Sequence, residues 1–363
     1  MSLVKVKSRG TDNIGGGRRN LVMNGAMRVA QRGASNGGTS TEGYKLTDRW
    51  RQTNDNTSAT WNHTQSTDVP SGQGFASSYK IAPGSADTSL ASNCQIRLEQ
   101  RWEGQDLQHL KKGTSNALST TLSFWVKSVQ TGTFVVNLQD TDNSRLIAKT
   151  YTVNTTNTWE KKVIHFAGDT TGALTNDNNL SMVLHFYLSA GSDYTSGTLA
   201  TSWASITNAN RAAGQTVDLA SSTSNAFYLT GVQWETGDSA SDFEHLSYGE
   251  ELRLCRRYFE NSNQTGRIAY LNHTVYTSTS AYCTYFFDVE KRTQPSITHG
   301  SSSWRIYQNG TLIANANGTA GTDGIGTRNF SLTLTYPSAS FTTNSGGMAD
   351  YRVDNGILID AEL

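Results

Sequence analysis

The sequence predicts an all-β protein: a jelly-roll sandwich, a short connecting helix and a smaller C-terminal β-sandwich domain. Three observations carry this expectation. Apolar residues recur with a period of two in many short runs, turn-rich spacers separate the runs, and one segment alone shows a well-signalled helical period. No strand–helix–strand rhythm appears, which argues against a Rossmann fold or a TIM barrel. Of the 363 residues 36% are hydrophobic and 17% charged, and Ser, Thr, Asn and 33 Gly fill the charge deficit. Eight Trp, 15 Tyr and 12 Phe argue against bulk disorder. Thirty basic against 30 acidic side chains argue against a general nucleic-acid binder. No apolar run reaches the length of a membrane helix, so no membrane insertion is expected.

Residues 1–19 form a distinct piece. Val4 and Val6 alternate with Lys5 and Lys7, Arg9 adds charge, and Gly15, Gly16 and Gly17 make a joint. The pattern reads either as a frayed terminus or as a docking arm that adds a strand to a larger partner. Residues 20–247 read as one domain. Leu122, Phe124 and Val126 stand opposite Ser123, Trp125 and Lys127. Phe134, Val136 and Leu138 alternate in the same way, as do Met182, Leu184, Phe186 and Leu188, and then Phe227 and Leu229 against Tyr228 and Thr230. Such alternation gives a sheet with one face on a core and one face wetter.

A connector helix is expected within 248–263. Ser247 and Glu250 form a capping box, and Leu252, Cys255 and Phe259 recur at helical spacing. The helix is too short to stand alone and must pack on the sandwich, on the next domain or on copies of itself. Residues 264–363 read as the second domain, with strands near Arg267–Thr277, Ala281–Val289, Ser303–Gln308, Thr311–Ala314 and Asn329–Pro337. Asn309-Gly310 is the strongest hairpin signal in the chain. Ala316 to Thr327, rich in glycine, reads as a mobile loop, and Ile357 to Ile359 as a terminal strand sealing the domain edge.

Little in the sequence points to catalysis, a metal or a cofactor. Asp140, Asp142, Asp169, Asp177 and Asp193 are scattered without an acid–base pairing. Asp140-Thr-Asp142-Asn143-Ser144 resembles the start of a calcium loop but lacks its Gly and later Glu, so a polar hairpin turn is expected. His165 and His185 lie within strand patterns, and no HExxH, GxSxG or P-loop appears. Cys94, Cys255 and Cys283 form neither a disulfide framework nor a zinc knuckle, which points to folding in a reducing cytoplasm. No secretory signal is read at the N-terminus.

The segments NLVMNGAMRVAQRG (20–33), LTDRW (46–50), TLSFWVKS (121–128), TNTWEKKVIHFAGD (156–169), STSNAFYLTGVQWETG (222–237) and FEHLSYGEELRLCRRYFE (243–260) together resemble a group of bacteriophage tail-fibre and virion-fibre proteins. FDVEKRTQPSIT (287–298) and DAEL (360–363) extend the resemblance to the end of the chain. Ala30, Trp234 and Arg256 depart from the residues common in that group. The resemblance implies a carbohydrate-binding-module-like jelly roll, a helix and a β-rich tip, and a place on the virion, assembled in the host cytoplasm. It implies host attachment without enzymatic activity, and a homotrimer whose N-terminal arm (Val4, Lys5, Val6, Lys7, Arg9) docks to other tail or virion proteins.

Flat aromatic side chains pack on the C–H faces of sugars with little entropy lost, so the aromatics in turn-rich sequence are the candidate contacts to host surface polysaccharide. These are Tyr194 and Trp203 with Asp193, and Trp304 and Tyr307 beside the Asn309-Gly310 hairpin. Trp125 and Trp159, within strand-like runs, read as structural. The expected function is a non-enzymatic phage fibre that recognises a host glycan. The alternatives are a structural, decorative or connector part of the tail or capsid with no receptor contact, and a bacterial adhesin or prophage remnant.

Overall fold

The computed structural model describes residues 18–262, 268–299, 304–314, 319–351 and 357–363. Val4, Lys5, Val6, Lys7 and Arg9 lie outside the described residues. The period-two runs become two facing antiparallel sheets. One has six strands in the spatial order β1 (Ser35–Thr39), β4 (Thr60–Ser66), β5 (Ser78–Ser85), β13 (Phe227–Thr236), β7 (Thr120–Ser128) and β10 (Glu160–Phe166). The other has seven: β12 (Ala204–Ser205), β9 (Arg145–Val153), β8 (Gly132–Asp140), β11 (Leu180–Ala190), β6 (Gln95–Glu103), β3 (Arg51–Asp55) and β2 (Gly43–Tyr44). Neighbours such as β5–β13 and β11–β6 are distant in sequence, as a sandwich with crossing connections requires.

The core lies between these sheets and follows the parity of the strands. Leu122, Phe124 and Val126 are buried in it, together with Trp50, Trp61, Phe186 and Leu229. Aromatic rings tie the two sheets together. Trp102 of β6 meets Trp234 of β13 at 4.9 Å between centroids, and Phe124 of β7 meets Phe186 of β11 at 5.1 Å, edge to face.

A short helix, α1 (Ser192–Thr195), interrupts the spacer after β11, and the connector helix is α2 (Tyr248–Arg256). Both halves of its capping box form: Ser247 Oγ accepts from the Glu250 amide, and Glu250 accepts from the Ser247 amide at 3.0 Å. Ser247→Ala should therefore cost about 1 kcal/mol in urea-induced unfolding, with an unchanged m-value. The partners of α2 and its exit are in its own chain. Glu251 accepts the Asn24 amide, Arg257 makes a bidentate pair with Glu103 at 2.8 and 2.7 Å, and Tyr258 Oη donates to Glu103 at 2.6 Å. The helix accordingly supplies no argument for self-association. Phe259 is not part of it; it opens the strand β14 (Phe259–Asn261).

The C-terminal domain is a seven-stranded antiparallel sheet in the order β19 (Thr311–Ala314), β18 (Trp304–Gln308), β22 (Gly346–Tyr351), β15 (Ile268–Thr277), β16 (Ser280–Phe286), β21 (Asn329–Thr335) and β20 (Thr319–Ile325). Asn309 and Gly310 turn β18 into β19 with φ of +49° and +77°, the left-handed pair that such a hairpin needs. Two expectations are corrected here. The glycine-rich stretch expected as a loop contains β20, which pairs along β21. An edge strand exposed on one side needs few packing side chains, so small residues suffice once the neighbouring backbone supplies the hydrogen bonds. The terminal strand β23 (Leu358–Asp360) does not seal the large sheet. It lies between β14 and β17 (Ser296–Thr298) in a separate three-stranded sheet, whose Ile297 and Ile359 pack on the C-terminal core.

The last residues then return to the jelly roll. Glu362 pairs with the buried Arg49, while Tyr44 Oη and Arg101 Nη1 donate to the Leu363 carbonyl at 3.1 and 2.8 Å. Arg292 donates to the carbonyls of Ala361 at 3.0 Å and Asn178 at 2.8 Å, bracing the same junction.

Candidate functional site

The residues singled out as sugar contacts do not form one site. Trp304 is 1% exposed, because it shares strand parity with Ile306 and points into the C-terminal core. A ring so placed cannot stack on a ligand, and its candidacy is withdrawn. Tyr307 has the opposite parity and is half-buried on the outer face, with the Arg305 guanidinium 5.2 Å from its ring centroid. Trp203 is half-buried against the jelly-roll core, donates from Nε1 to the Ala167 carbonyl at 2.8 Å, and carries the Lys112 ammonium 5.2 Å from its ring. Tyr194 packs in a different cluster, with Tyr187 and Ala212, and Asp193 is exposed in the first turn of α1.

The scattered carboxylates have structural employment. Asp140 binds Lys112 and accepts the Asn143 amide at 3.0 Å, closing the β8–β9 turn. Asp169 takes the Arg145 guanidinium at 2.7 and 3.0 Å and the Lys112 ammonium at 3.0 Å. Burial works against the charge of Asp169, but the hydrogen bonds from Arg145 and Lys112 prevail and hold its pKa below the usual carboxylate value. Asp142 accepts the Thr175 amide and Asp177 the Asn179 amide. His185 sits between Asn137 and Glu99 inside the seven-stranded sheet's layer, as a structural residue would. Among the described residues no group of three or more His, Cys, Asp or Glu gathers to hold a metal ion.

A different surface brings aromatic and polar groups together: the outer face of the six-stranded sheet. Strand register builds it. Thr64 of β4 pairs with Lys80 of β5, Lys80 with Tyr228 of β13, and Tyr228 with Lys127 of β7. Trp159 stands just before the start of β10, the next strand, and completes the row. In the adjacent row Thr230 pairs with Trp125 and Trp125 with Lys161, and beyond it Ser123 pairs with Val163, which is 45% exposed. All these residues have the parity opposite to the buried Phe124, Val126, Phe227 and Leu229, so they face away from the core.

Contacts within the row hold the rings in place. Trp159 and Tyr228 meet at 6.2 Å between centroids with their planes at 71°. The Lys127 ammonium lies 4.4 Å from the Tyr228 centroid and 5.7 Å from that of Trp159, and Lys80 lies 5.5 Å from Tyr228 on the other side. Asp68, from the segment after β4, accepts from Trp159 Nε1 at 2.9 Å and pairs with Lys127. Burial opposes the Asp68 charge, yet the Lys127 and Trp159 hydrogen bonds lower its pKa, so it is a carboxylate at neutral pH. Two partly covered rings, two ammonium groups and one carboxylate thus converge on a rigid sheet.

This face was missed by reading Trp125 and Trp159 as structural. The signal available was the alternation itself, which sets Trp125, Lys127 and Tyr228 opposite the core residues. The C-terminal sheet carries another exposed aromatic pair, Tyr276 and Tyr282 at 5.5 Å, amid Thr274, Thr284 and Thr333 and without lysine. A cleft of about 1280 Å³ opens between the jelly roll and α2, lined by Arg18, Trp102, Leu107, Leu118 and Leu254, but its Trp102 is buried in the floor.

Fold and face together define a β-sandwich that presents aromatic rings and ammonium groups from a sheet surface. No family model matches the chain, and no curated protein does. Among solved structures the chain is similar to the enzymatically active domain of tailspike protein 4 of Bacteriophage CBA120, at 13% identity over 52% of this chain and 19% of that one, with a TM-score of 0.29. The chain thus spans about a fifth of that tailspike structure's length. It is also similar to a family 11 carbohydrate-binding module of a Clostridium thermocellum cellulosomal cellulase, at 10% identity over 56% of this chain and 97% of that one, with a TM-score of 0.28. A xylan-binding domain of Paenibacillus barcinonensis Xyn10C matches at 11% identity over 58% and 97%, with a TM-score of 0.27. At these values the architecture rests on the strand order described above.

Proposed function

We propose that the protein is a non-enzymatic component of a phage virion fibre that recognises a host-surface glycan through the outer face of its six-stranded sheet. The observation that carries the reading is the row Lys80–Tyr228–Lys127–Trp159, in which register fixes two aromatic rings side by side on a rigid support. A pyranose ring laid on Trp159 and Tyr228 buries its C–H face, while Lys80, Lys127 and Asp68 are within reach of its hydroxyls. The resemblance of the sequence segments to tail-fibre and virion-fibre proteins supports the virion setting, with residues 1–19 as the attachment arm and several copies, as a homotrimer, multiplying weak sugar contacts. The non-enzymatic part is supported by the engagement of Asp140, Asp142, Asp169 and Asp177 in ion pairs and turns.

Trp159→Ala and Tyr228→Ala in the full chain should each weaken adsorption to host cells about tenfold, which corresponds to about 1.4 kcal/mol, with unchanged thermal unfolding and assembly. Unchanged adsorption by both variants would refute the site and favour a structural role in the particle. A monomer mass at micromolar concentration would remove the homotrimer.

A further inference from the structure

We infer that the ligand of this face is an anionic polysaccharide, one that bears a carboxylate or phosphate group along its sugar chain. The inference rests on the glycan reading above and narrows it. The chain as a whole has no net charge, with 30 basic and 30 acidic side chains, and only 17% of its residues are charged. Against that background the outer face around Tyr228 and Trp159 carries three lysines, Lys80, Lys127 and Lys161, and one carboxylate, Asp68, while Glu235 further along β13 is buried and pairs with Arg19 at 3.4 Å. Glu160 and Lys162 do not alter the balance. They have the opposite parity, being paired with Val126 and Phe124, and they bind each other at 2.6 Å.

The lysines are placed to act on a ligand lying across the strands. Lys80 and Lys127 sit on the two strands flanking β13, so their backbones are ~10 Å apart, two strand spacings. Tyr228 lies between them. A sugar chain stacked on Tyr228 and Trp159 would run along this row with a cation at each side. Asp68 engages Lys127 and the Trp159 indole N–H, and Lys80 and Lys161 form no ion pair among the described residues, the Asp68 charge reaching Lys80 only at longer range. Lysine is a point charge with three rotatable donors and serves carboxylate and phosphate alike. The two sources are therefore separated by experiment.

The test is binding of the full chain to an array of bacterial surface polysaccharides containing neutral, uronate-bearing and phosphate-bearing polymers, at 50 and 300 mM salt. Anionic polymers should be retained over neutral ones, and the uronate and phosphate arms report which group is read. Lys80→Gln with Lys161→Gln should reduce that binding at least tenfold at low salt, and the loss should shrink at high salt as the charges are screened. Trp159→Ala should reduce it as well. Retention of neutral polymers alone, sensitive to Trp159→Ala but not to the lysine variants, would overturn the anionic class and leave the glycan reading standing. Retention of anionic polymers that is insensitive to Trp159→Ala and Tyr228→Ala would mean charge attraction only and would overturn the inference. Binding to none of the polymers would overturn the inference together with the glycan reading on which it rests.

Discussion

Lys291→Met should destabilise the protein by about 3–5 kcal/mol, the cost of leaving a buried charge without its partner. Lys291 and Glu260 are 0% and 1% exposed, and their 2.5 Å ion pair lies at the junction of α2, β14 and the C-terminal sheet. Glu260 also accepts from Tyr285 Oη at 3.2 Å and from the Asp288 amide at 3.3 Å, while Lys291 donates to the Arg256 carbonyl. Burial lowers the Lys291 pKa, and the Glu260 charge opposes that effect. Removing the ammonium leaves the buried carboxylate without its cation and with only the Tyr285 hydroxyl and the Asp288 amide as donors. The double variant Glu260→Gln with Lys291→Met removes both charges and keeps one of the two acceptor oxygens that Tyr285 and the Asp288 amide use, so it should recover part of the loss. Urea unfolding of wild type, the single variant and the double variant checks this; equal losses in both variants would show that packing, not the unpaired charge, sets the cost.

The second large effect is acid sensitivity from His63. Its ring is 1% exposed, with Nδ1 2.8 Å from Tyr79 Oη and Nε2 3.2 Å from Thr39 Oγ1. Burial, with the Lys45 charge acting in the same direction, lowers its pKa from 6.5 to about 4. The folded state therefore binds the proton less readily than the unfolded one. The contribution to stability is complete above pH 6.5 and is lost as the pH falls through 4, on the order of 3 kcal/mol at 1.36 kcal/mol per unit. Asp48 works in the opposite sense. Burial raises its pKa to about 6, despite the Arg32 charge and the Gln31 hydrogen bond, so its contribution is present below pH 4 and is lost as the pH rises through 6. The measurement is consequently a difference: unfolding free energy of wild type minus His63→Gln between pH 7 and 4. That difference should shrink or reverse toward pH 4. A pH-independent difference would mean that the folded and unfolded states bind this proton equally well, so that burial does not disfavour the charged ring.

Much of the architecture is legible in the amino-acid sequence. The Ser247–Glu250 box marked the start of α2, Asn309-Gly310 marked the β18–β19 turn, and alternation placed Phe124 inward and Trp125 outward. Each of these depends on neighbours a few residues away. Trp304 was legible by the same rule, since it alternates in step with Ile306, but its closeness to a hairpin in sequence outweighed its parity. The glycine-rich β20 was not legible, because its local composition favours a loop and only pairing with β21 makes it a strand. Trp159 was half legible: its exposure follows from its position at the strand's start, whereas its meeting with Tyr228 does not.

The amino-acid sequence by itself determined the strands whose side chains alternate, the turns with their own residue signals, and which side of each such strand faces the core. Backbone dihedrals, turn chemistry and side-chain alternation are local properties, so a short window of residues specifies them. Tertiary structure alone decided that Lys80, Lys127, Trp159 and Tyr228 share one row, and that Glu362 returns to Arg49. Those meetings depend on which distant strands pair, and in what register, when two sheets close over a common core.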